Sequence, residues 1–232
     1  KVAPPSPAAT PEQLESQGDV LRQDKLFLDA QDYYEEALGR IPSKIAMLHN
    51  KLGITKLQTG NLDDAKKSFE MAIKSDKTFA EAHNNLGVLY YMQKKYGNAV
   101  KEYEKAIDLR PKTASFYNNL ASAHFGRKDY EKAAVAYQQA LEIDPGILDR
   151  RSNSGGYSAQ LPSPEDRATY SFVLAKLFSK NGDMDRALQH LRMAIEDGYK
   201  DVGKVFEESD FEPLRNDPRF AELMAARPAA IQ

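Results

Sequence analysis

Alanine recurs at Ala30, Ala65, Ala99, Ala133 and Ala187. Each is followed four residues on by Tyr34, Phe69, Tyr103, Tyr137 or Leu191, and seven on by Ala37, Ala72, Ala106, Ala140 or Ala194. The intervals are 35, 34, 34 and 54 residues, so the chain reads as five copies of one unit with an insertion of 20 before the last. A fixed period of this length implies a solenoid, because one such unit cannot bury its own apolar stripes and must stack on its neighbours. The core is expected as a ribbon along an elongated array.

The third copy, Ala80 to Thr113, shows the unit. His83, Leu86, Gly87 and Tyr90 fall at i, i+3, i+4 and i+7, one apolar stripe of a helix. A turn is expected near Lys94-Lys95, then a second helix with Tyr96, Ala99, Tyr103, Ala106 and Ile107 on its stripe, stopped by Pro111. The unit is a helix hairpin, and the small residues Gly87 and Ala99 allow its two helices to approach closely. Start signals agree: Thr10 to Gln13 and Thr78 to Glu81 read as capping boxes, and Ser163-Pro164-Glu165-Asp166 places Pro at a first helical position.

This pattern resembles the tetratricopeptide repeat, whose 34-residue unit carries Leu-Gly at positions 7 and 8, Ala at 20 and 27, an aromatic at 24 and Pro at 32. Here Leu52-Gly53, Leu86-Gly87 and Leu120-Ala121 occupy 7 and 8, and Pro42, Pro111 and Pro145 occupy 32. Copies fall at 11–44, 46–79, 80–113, 114–147 and 168–201; Gln17, Lys77 and Tyr199 depart from the pattern in single copies. The resemblance implies an all-α fold, an α-solenoid of five hairpins in a right-handed superhelix with a C-terminal capping helix. The expected organisation is a disordered Pro/Ala-rich tether at 1–10, repeats one to four at 11–147, an insertion at 148–163 that is either disordered or functional, repeat five at 164–201 and a capping segment at 202–227. That segment carries Pro213-Leu214-Arg215-Asn216-Asp217-Pro218-Arg219-Phe220, similar to tails at the ends of bacterial repeat arrays, and its helix would present Phe220, Leu223 and Met224 to the last hairpin.

Acids and bases are interspersed with a net charge of -2, and no Lys/Arg block offers the stripe that phosphate neutralisation needs, so nucleic acid is not an expected partner. No apolar run reaches the roughly 18 residues of a membrane span. Zero cysteines exclude disulfides, zinc-thiolate sites and thiol catalysis. The stretch Lys1 to Ala9 reads either as the remnant of a removed signal or anchor peptide, hence a periplasmic or otherwise exported chain, or as a cut between domains of a cytoplasmic one.

In the family, positions 2, 5, 9 and 12 of each first helix, with 6 and 13 beside them, line the concave groove. The residues so placed that would contact a peptide are Asn50, Lys51, Asn84, Asn85, Tyr91, Asn118, Asn119, Ser122, Phe125 and Lys176. The stripe reads acidic at one end through Glu12, Glu15 and Asp19, amide and apolar in the middle, and basic at the other through Lys176 and Lys180. Asparagine at position 6 (Asn85, Asn119) is similar to the asparagine ladder in the repeat superhelix of a protein glycosyltransferase. An amide offers donor and acceptor together, so such a ladder suits an extended backbone of any sequence; the other reading is solvated surface asparagine. Tyr91 and Phe125 would be exposed hot-spot aromatics or packing for the next helix. Four or five net amide bonds of ~0.5–1.5 kcal/mol, offset by ordering the peptide, point to roughly micromolar affinity.

The carboxylate clamp of chaperone-binding relatives needs Lys, Asn, Asn, Lys and Arg at set positions of three successive copies. No frame supplies them; the second reads Asn50, Ile54, Asn85, Ser115 and Asn119. His49, His83 and His124 sit at bulky core positions and His190 on a second helix, so they read as packed aromatics. No nucleophile-base pair, metal spacing or phosphate loop emerges, so neither enzyme chemistry nor a cofactor is expected. The expected function is a non-catalytic module binding an extended segment or helix of a partner protein; the alternative is a scaffold component of a larger, envelope-associated complex that assembles through its convex face or by self-association. Substituting Asn85 and Asn119, read as solvent-facing, is expected to cost little stability.

Overall fold

The computed structural model describes residues 2–40, 45–147 and 164–226; Lys1, Pro42, Ser163, the insertion at 148–163 and residue 227 lie outside them. Ten helices follow in order: α1 Pro11–Gln23, α2 Phe27–Arg40, α3 Ile45–Gln58, α4 Leu62–Ser75, α5 Ala80–Met92, α6 Tyr96–Leu109, α7 Ala114–Gly126, α8 Tyr130–Ile143, α9 Pro164–Lys180 and α10 Met184–Glu196. Consecutive pairs pack as hairpins, and the second helix of each packs on the first helix of the next. Short helices α11 (Lys204–Glu207), α12 (Glu212–Arg215) and α13 (Pro218–Ala225) close the chain, and no strand occurs among the described residues.

The repeating alanines are the reason the hairpins close. All ten of them, from Ala30 to Ala194, are fully buried, and Tyr34, Phe69, Tyr103, Tyr137 and Leu191 are at most 2% exposed. Each of those five side chains contributes roughly 1.5–3 kcal/mol of burial. The aromatic of the second helix lies flat on the glycine of the first: a Cβ added at Gly53 would stand 2.5 Å from Phe69 Cε1, and one at Gly87 2.6 Å from Tyr103 Cε1.

Every hairpin turns through the same cap. Lys25, Gly60, Lys94, Lys128 and Gly182 hold the equivalent position in the left-handed region, with φ of 61, 79, 58, 64 and 79°. In each, the residue after it bonds back to the carbonyl five before, as Lys95 N–H does to Tyr90 O at 2.9 Å, which is the Schellman closure. Thr10 forms its capping box with Gln13. Thr78 does not: Phe79 is the N-cap of α5, and Thr78 instead donates its N–H and hydroxyl to Asp76 Oδ1 at 2.8 and 2.7 Å. The carboxylate two residues upstream competes for the threonine and wins.

Beyond α10, Val202, Val205, Phe211 and Leu214 are fully buried and Phe220 and Met224 nearly so, all in the core shared by the last four hairpins. Arg215 Nη1 donates to the carbonyls of Val205 and Glu208, both at 2.9 Å, and so ties α11 to α12. The opposite end carries a correction. Residues 2–10, expected as a disordered tether, lie against the first hairpin, where Val2 and Ala9 pack on the cluster of Leu14, Leu21, Tyr34 and Ala37.

Candidate peptide-binding groove

The first helices α3, α5 and α7 touch one another, and the repeat register sets asparagine against asparagine. Asn119 Nδ2 donates to Asn84 Oδ1 at 2.9 Å, Asn84 Nδ2 to Asn85 Oδ1 at 3.4 Å, and Asn85 Nδ2 to Asn50 Oδ1 at 2.9 Å. Four amides thus form one chain across three hairpins with every link oriented the same way. Asn50 and Asn84 are buried at 6% and 9% exposure, whereas Asn85, Asn118 and Asn119 are half-buried. Position 5 therefore faces the neighbouring first helix, where a buried amide must find a partner. This corrects the reading of Asn85 and Asn119 as solvent-facing: Asn119 keeps one donor inside the seam and Asn85 a donor and an acceptor, so only part of each amide is left for anything else.

Lys51 joins the same seam one hairpin earlier. Its Nζ donates to Glu15 Oε1 and Asp19 Oδ2, both at 2.6 Å, and Asp19 Oδ1 accepts the Tyr34 hydroxyl at 2.7 Å. Burial, reinforced by that carboxylate, holds the Tyr34 hydroxyl far above its usual range. The acidic end is thus partly neutralised. The basic end is too, since Lys176 Nζ pairs with Glu208 at 2.6 Å and Asp210 at 3.6 Å. Phe172 stacks on Tyr199 at 4.2 Å and meets Phe211 at 5.1 Å, so the closing segment occupies the place of a sixth first helix.

The two aromatics at position 12 divide. Phe125 is 5% exposed, held between Tyr130 at 5.3 Å and Tyr170 at 5.5 Å, and so is packing at the junction with α9, not open surface. Tyr91 is half-buried with its ring 5.4 Å from Tyr96, and burial pushes its hydroxyl up to about 12. Ser122 is half-buried, its hydroxyl donated to Asn118 O at 3.0 Å. Lys51, Asn85, Tyr91, Asn118, Asn119 and Ser122 are half-buried and Met92 is exposed, and all seven lie on α3, α5 and α7.

Sequence reasoning missed a polar tie between α5 and α6: His83 Nδ1 lies 2.8 Å from Glu102 Oε2, and Lys105 Nζ donates to Glu102 Oε1 at 2.8 Å. Burial raises the Glu102 carboxyl, but the bonds from His83 and Lys105 outweigh it and hold the group below its ordinary range. The Glu102 and Lys105 spacing was visible; the histidine across the hairpin was not. Among the described residues no cluster of three or more His, Asp or Glu could hold a metal, and no helix is long and apolar enough to cross a membrane.

A family model for the tetratricopeptide repeat matches residues 78–145, and a second, for the TPR repeat, matches 53–94. The matched stretch, residues 53–145, is tetratricopeptide repeat. The array is similar to the crystal structure of MamA, at 24% identity over 80% of this chain and 96% of that one with a TM-score of 0.54. It is also similar to TTC0263, a thermophilic TPR protein of Thermus thermophilus, at 18% identity over 93% and 100% of the two chains with a TM-score of 0.56. At these identities the likeness is one of fold. No curated protein matches the chain. The tetratricopeptide repeat is a protein-interaction fold.

Proposed function

We propose that the chain is a non-catalytic module that binds an extended segment of a partner protein along a strip on α3, α5 and α7. The observation that carries this reading is the amide chain. Asn85 and Asn119 are fixed by their links to Asn50 and Asn84, so the part of each amide that the seam leaves over is held in place before any ligand arrives. Preorganised donors and acceptors on successive helices pair with a peptide backbone at a small ordering cost. Asn118, Ser122 and Tyr91 border the strip, and Lys51, held by two carboxylates, adds a polar edge at its start. Asn50, Asn84, Phe125 and Lys176 act behind it, by supporting the seam and the ends.

Affinity near micromolar follows from four or five net bonds of ~0.5–1.5 kcal/mol each. The test is affinity capture of partners with the full chain, followed by calorimetry of the captured segment with an Asn118→Ala, Ser122→Ala variant, which leaves every amide link intact. Tenfold or greater weakening with unchanged helicity supports the strip; unchanged affinity refutes it and favours a scaffold that works through its other faces.

A further inference from the structure

The first hairpin carries a second arrangement that reads peptide backbone, on the outer side of α2. Arg40 projects from the last turn of that helix, and all five of its N–H donors are engaged. Nε donates to Glu36 Oε1 at 2.8 Å, and Nη2 to the same oxygen at 2.5 Å and to Ser6 O at 3.4 Å. Nη1 donates to Pro7 O at 3.1 Å and to Ala9 O at 2.6 Å. One helical turn or two earlier, the Tyr33 hydroxyl donates to Ala3 O at 3.0 Å. Four carbonyls of one short segment are therefore taken by two side chains, and Glu36 fixes the guanidinium that takes three of them.

The chemistry is selective. Proline has no N–H, so a segment containing Pro4, Pro5 and Pro7 presents carbonyl acceptors with few donors to satisfy. Arginine is the converse, five donors and no acceptor. An ordinary strand laid on the same face would bring N–H groups against the guanidinium with nothing to receive them. Within the segment Val2, Pro5 and Ala9 are the half-buried residues, and a turn at Pro7-Ala8 closes it, with Ala9 N–H donated to Ser6 O at 3.1 Å and Ala8 N–H to Ser6 Oγ at 3.3 Å, so that these donors are met inside the segment. Val2 and Ala9 pack on the buried cluster of the first hairpin, as do Tyr33 and Leu38.

We propose that this face of α2 is a second peptide-binding surface, built for a proline-rich segment that closes in a turn, and that residues 2–9 of the same chain occupy it as an intramolecular ligand. It is independent of the strip on α3, α5 and α7. A proline-rich segment from a partner binds it by displacing the chain's own segment, whose local concentration is on the order of millimolar. Loss of Arg40 frees the segment while leaving the buried cluster of the first hairpin in place, since the hydrogen bonds of Arg40 go to these carbonyls and to Glu36.

The absence of cysteine makes the test direct: Ala8→Cys on the full chain, at an exposed position, takes a single spin label. The expected spectrum shows an immobilised label in the parent, conversion to a mobile one in Arg40→Ala at unchanged helicity, and saturable mobilisation of the parent by a synthetic peptide of residues 2–10. A glycine-serine peptide of equal length leaves the parent label immobilised. A label already mobile in the parent, equal immobilisation in Arg40→Ala, or mobilisation by the glycine-serine peptide overturns the proposal. So does retention of the segment at peptide concentrations well above millimolar. Dimers formed by segment exchange, seen by light scattering of the parent, would overturn the intramolecular assignment.

Discussion

The Asn85 to Asn50 link is open to a double-mutant cycle whose outcome the geometry fixes in advance. Asn85→Ala removes the donor that Asn50 Oδ1 uses at 2.9 Å and leaves that oxygen in a side chain 6% exposed. An acceptor stranded in such a site costs about 1–3 kcal/mol. Asn50→Ala leaves the donor of Asn85 unmatched instead, but Asn85 is half-buried and water reaches it, so the loss is closer to the net value of one bond, about 0.5–1.5 kcal/mol. The double variant no longer strands Asn50 Oδ1, but like Asn85→Ala it leaves Asn84 Nδ2 without its acceptor at 3.4 Å; that shared loss cancels in the cycle and leaves a coupling of about 1–2 kcal/mol. Urea unfolding followed by far-UV circular dichroism measures the sum. Amide hydrogen exchange on α3 and α5 localises it, which matters because arrays of this kind need not unfold in one step. If both single variants are near neutral and their effects add within ~0.5 kcal/mol, the amides are separately solvated and the seam does not exist.

Gly87→Ala, whose Cβ would stand 2.6 Å from a buried Tyr103 carbon, is expected to destabilise by about 1–3 kcal/mol in thermal unfolding; Gly97→Ala, with nothing within 4 Å, is expected to stabilise by up to ~1 kcal/mol. Equal effects of the two would refute the flat ring contact. Lys94→Gly relieves a left-handed residue at φ 58° and is expected to gain ~0.5–1 kcal/mol in urea unfolding, the same change at right-handed Lys101 to lose about as much. Burial lowers the pKa of both His49 and His124 from the ordinary 6.5, so the unfolded chain binds more protons as pH falls through that value and stability drops from pH 7 downward. His124→Gln should flatten that slope in denaturant titrations at several pH values, and an unchanged slope would contradict it.

The repeat spacing gave away the core because it is a property of one hairpin: Ala99 and Tyr103 must close on Leu86 and Gly87 whatever lies next door. Surfaces set by stacking were not legible in the same way. A helical wheel cannot tell a position that faces the adjacent first helix from one that faces open groove, and so Phe125 and Asn84 read like Tyr91 and Asn119. Lys51 finds its carboxylates 32 and 36 residues away, and Lys176 finds Glu208 across the closing segment, both beyond any local pattern. The hairpin turns show a milder failure: Gly60 and Gly182 announce a left-handed cap, whereas Lys25, Lys94 and Lys128 adopt it because the Schellman bonds outweigh side-chain preference. Arg40, in the last turn of α2, has the placement of any cation that complements a helix dipole, and nothing near it in sequence marks the carbonyls it holds.

The oriented amide chain also sets where the array can flex. Widening or narrowing the superhelix at α3, α5 and α7 must change the two links that cross between helices, Asn85 to Asn50 and Asn119 to Asn84, and a hydrogen bond tolerates only a few tenths of an ångström before it fails. That stretch is therefore a stiff gauge block of fixed length. Past Asn119 the chain of bonds ends, and α7 meets α9 through Phe125, Tyr137 and Tyr170, whose edge contacts slide with little directional penalty. Elastic deformation under load concentrates at that aromatic joint, so repeats two to four, joined by the amide chain, move as one lever against the fifth.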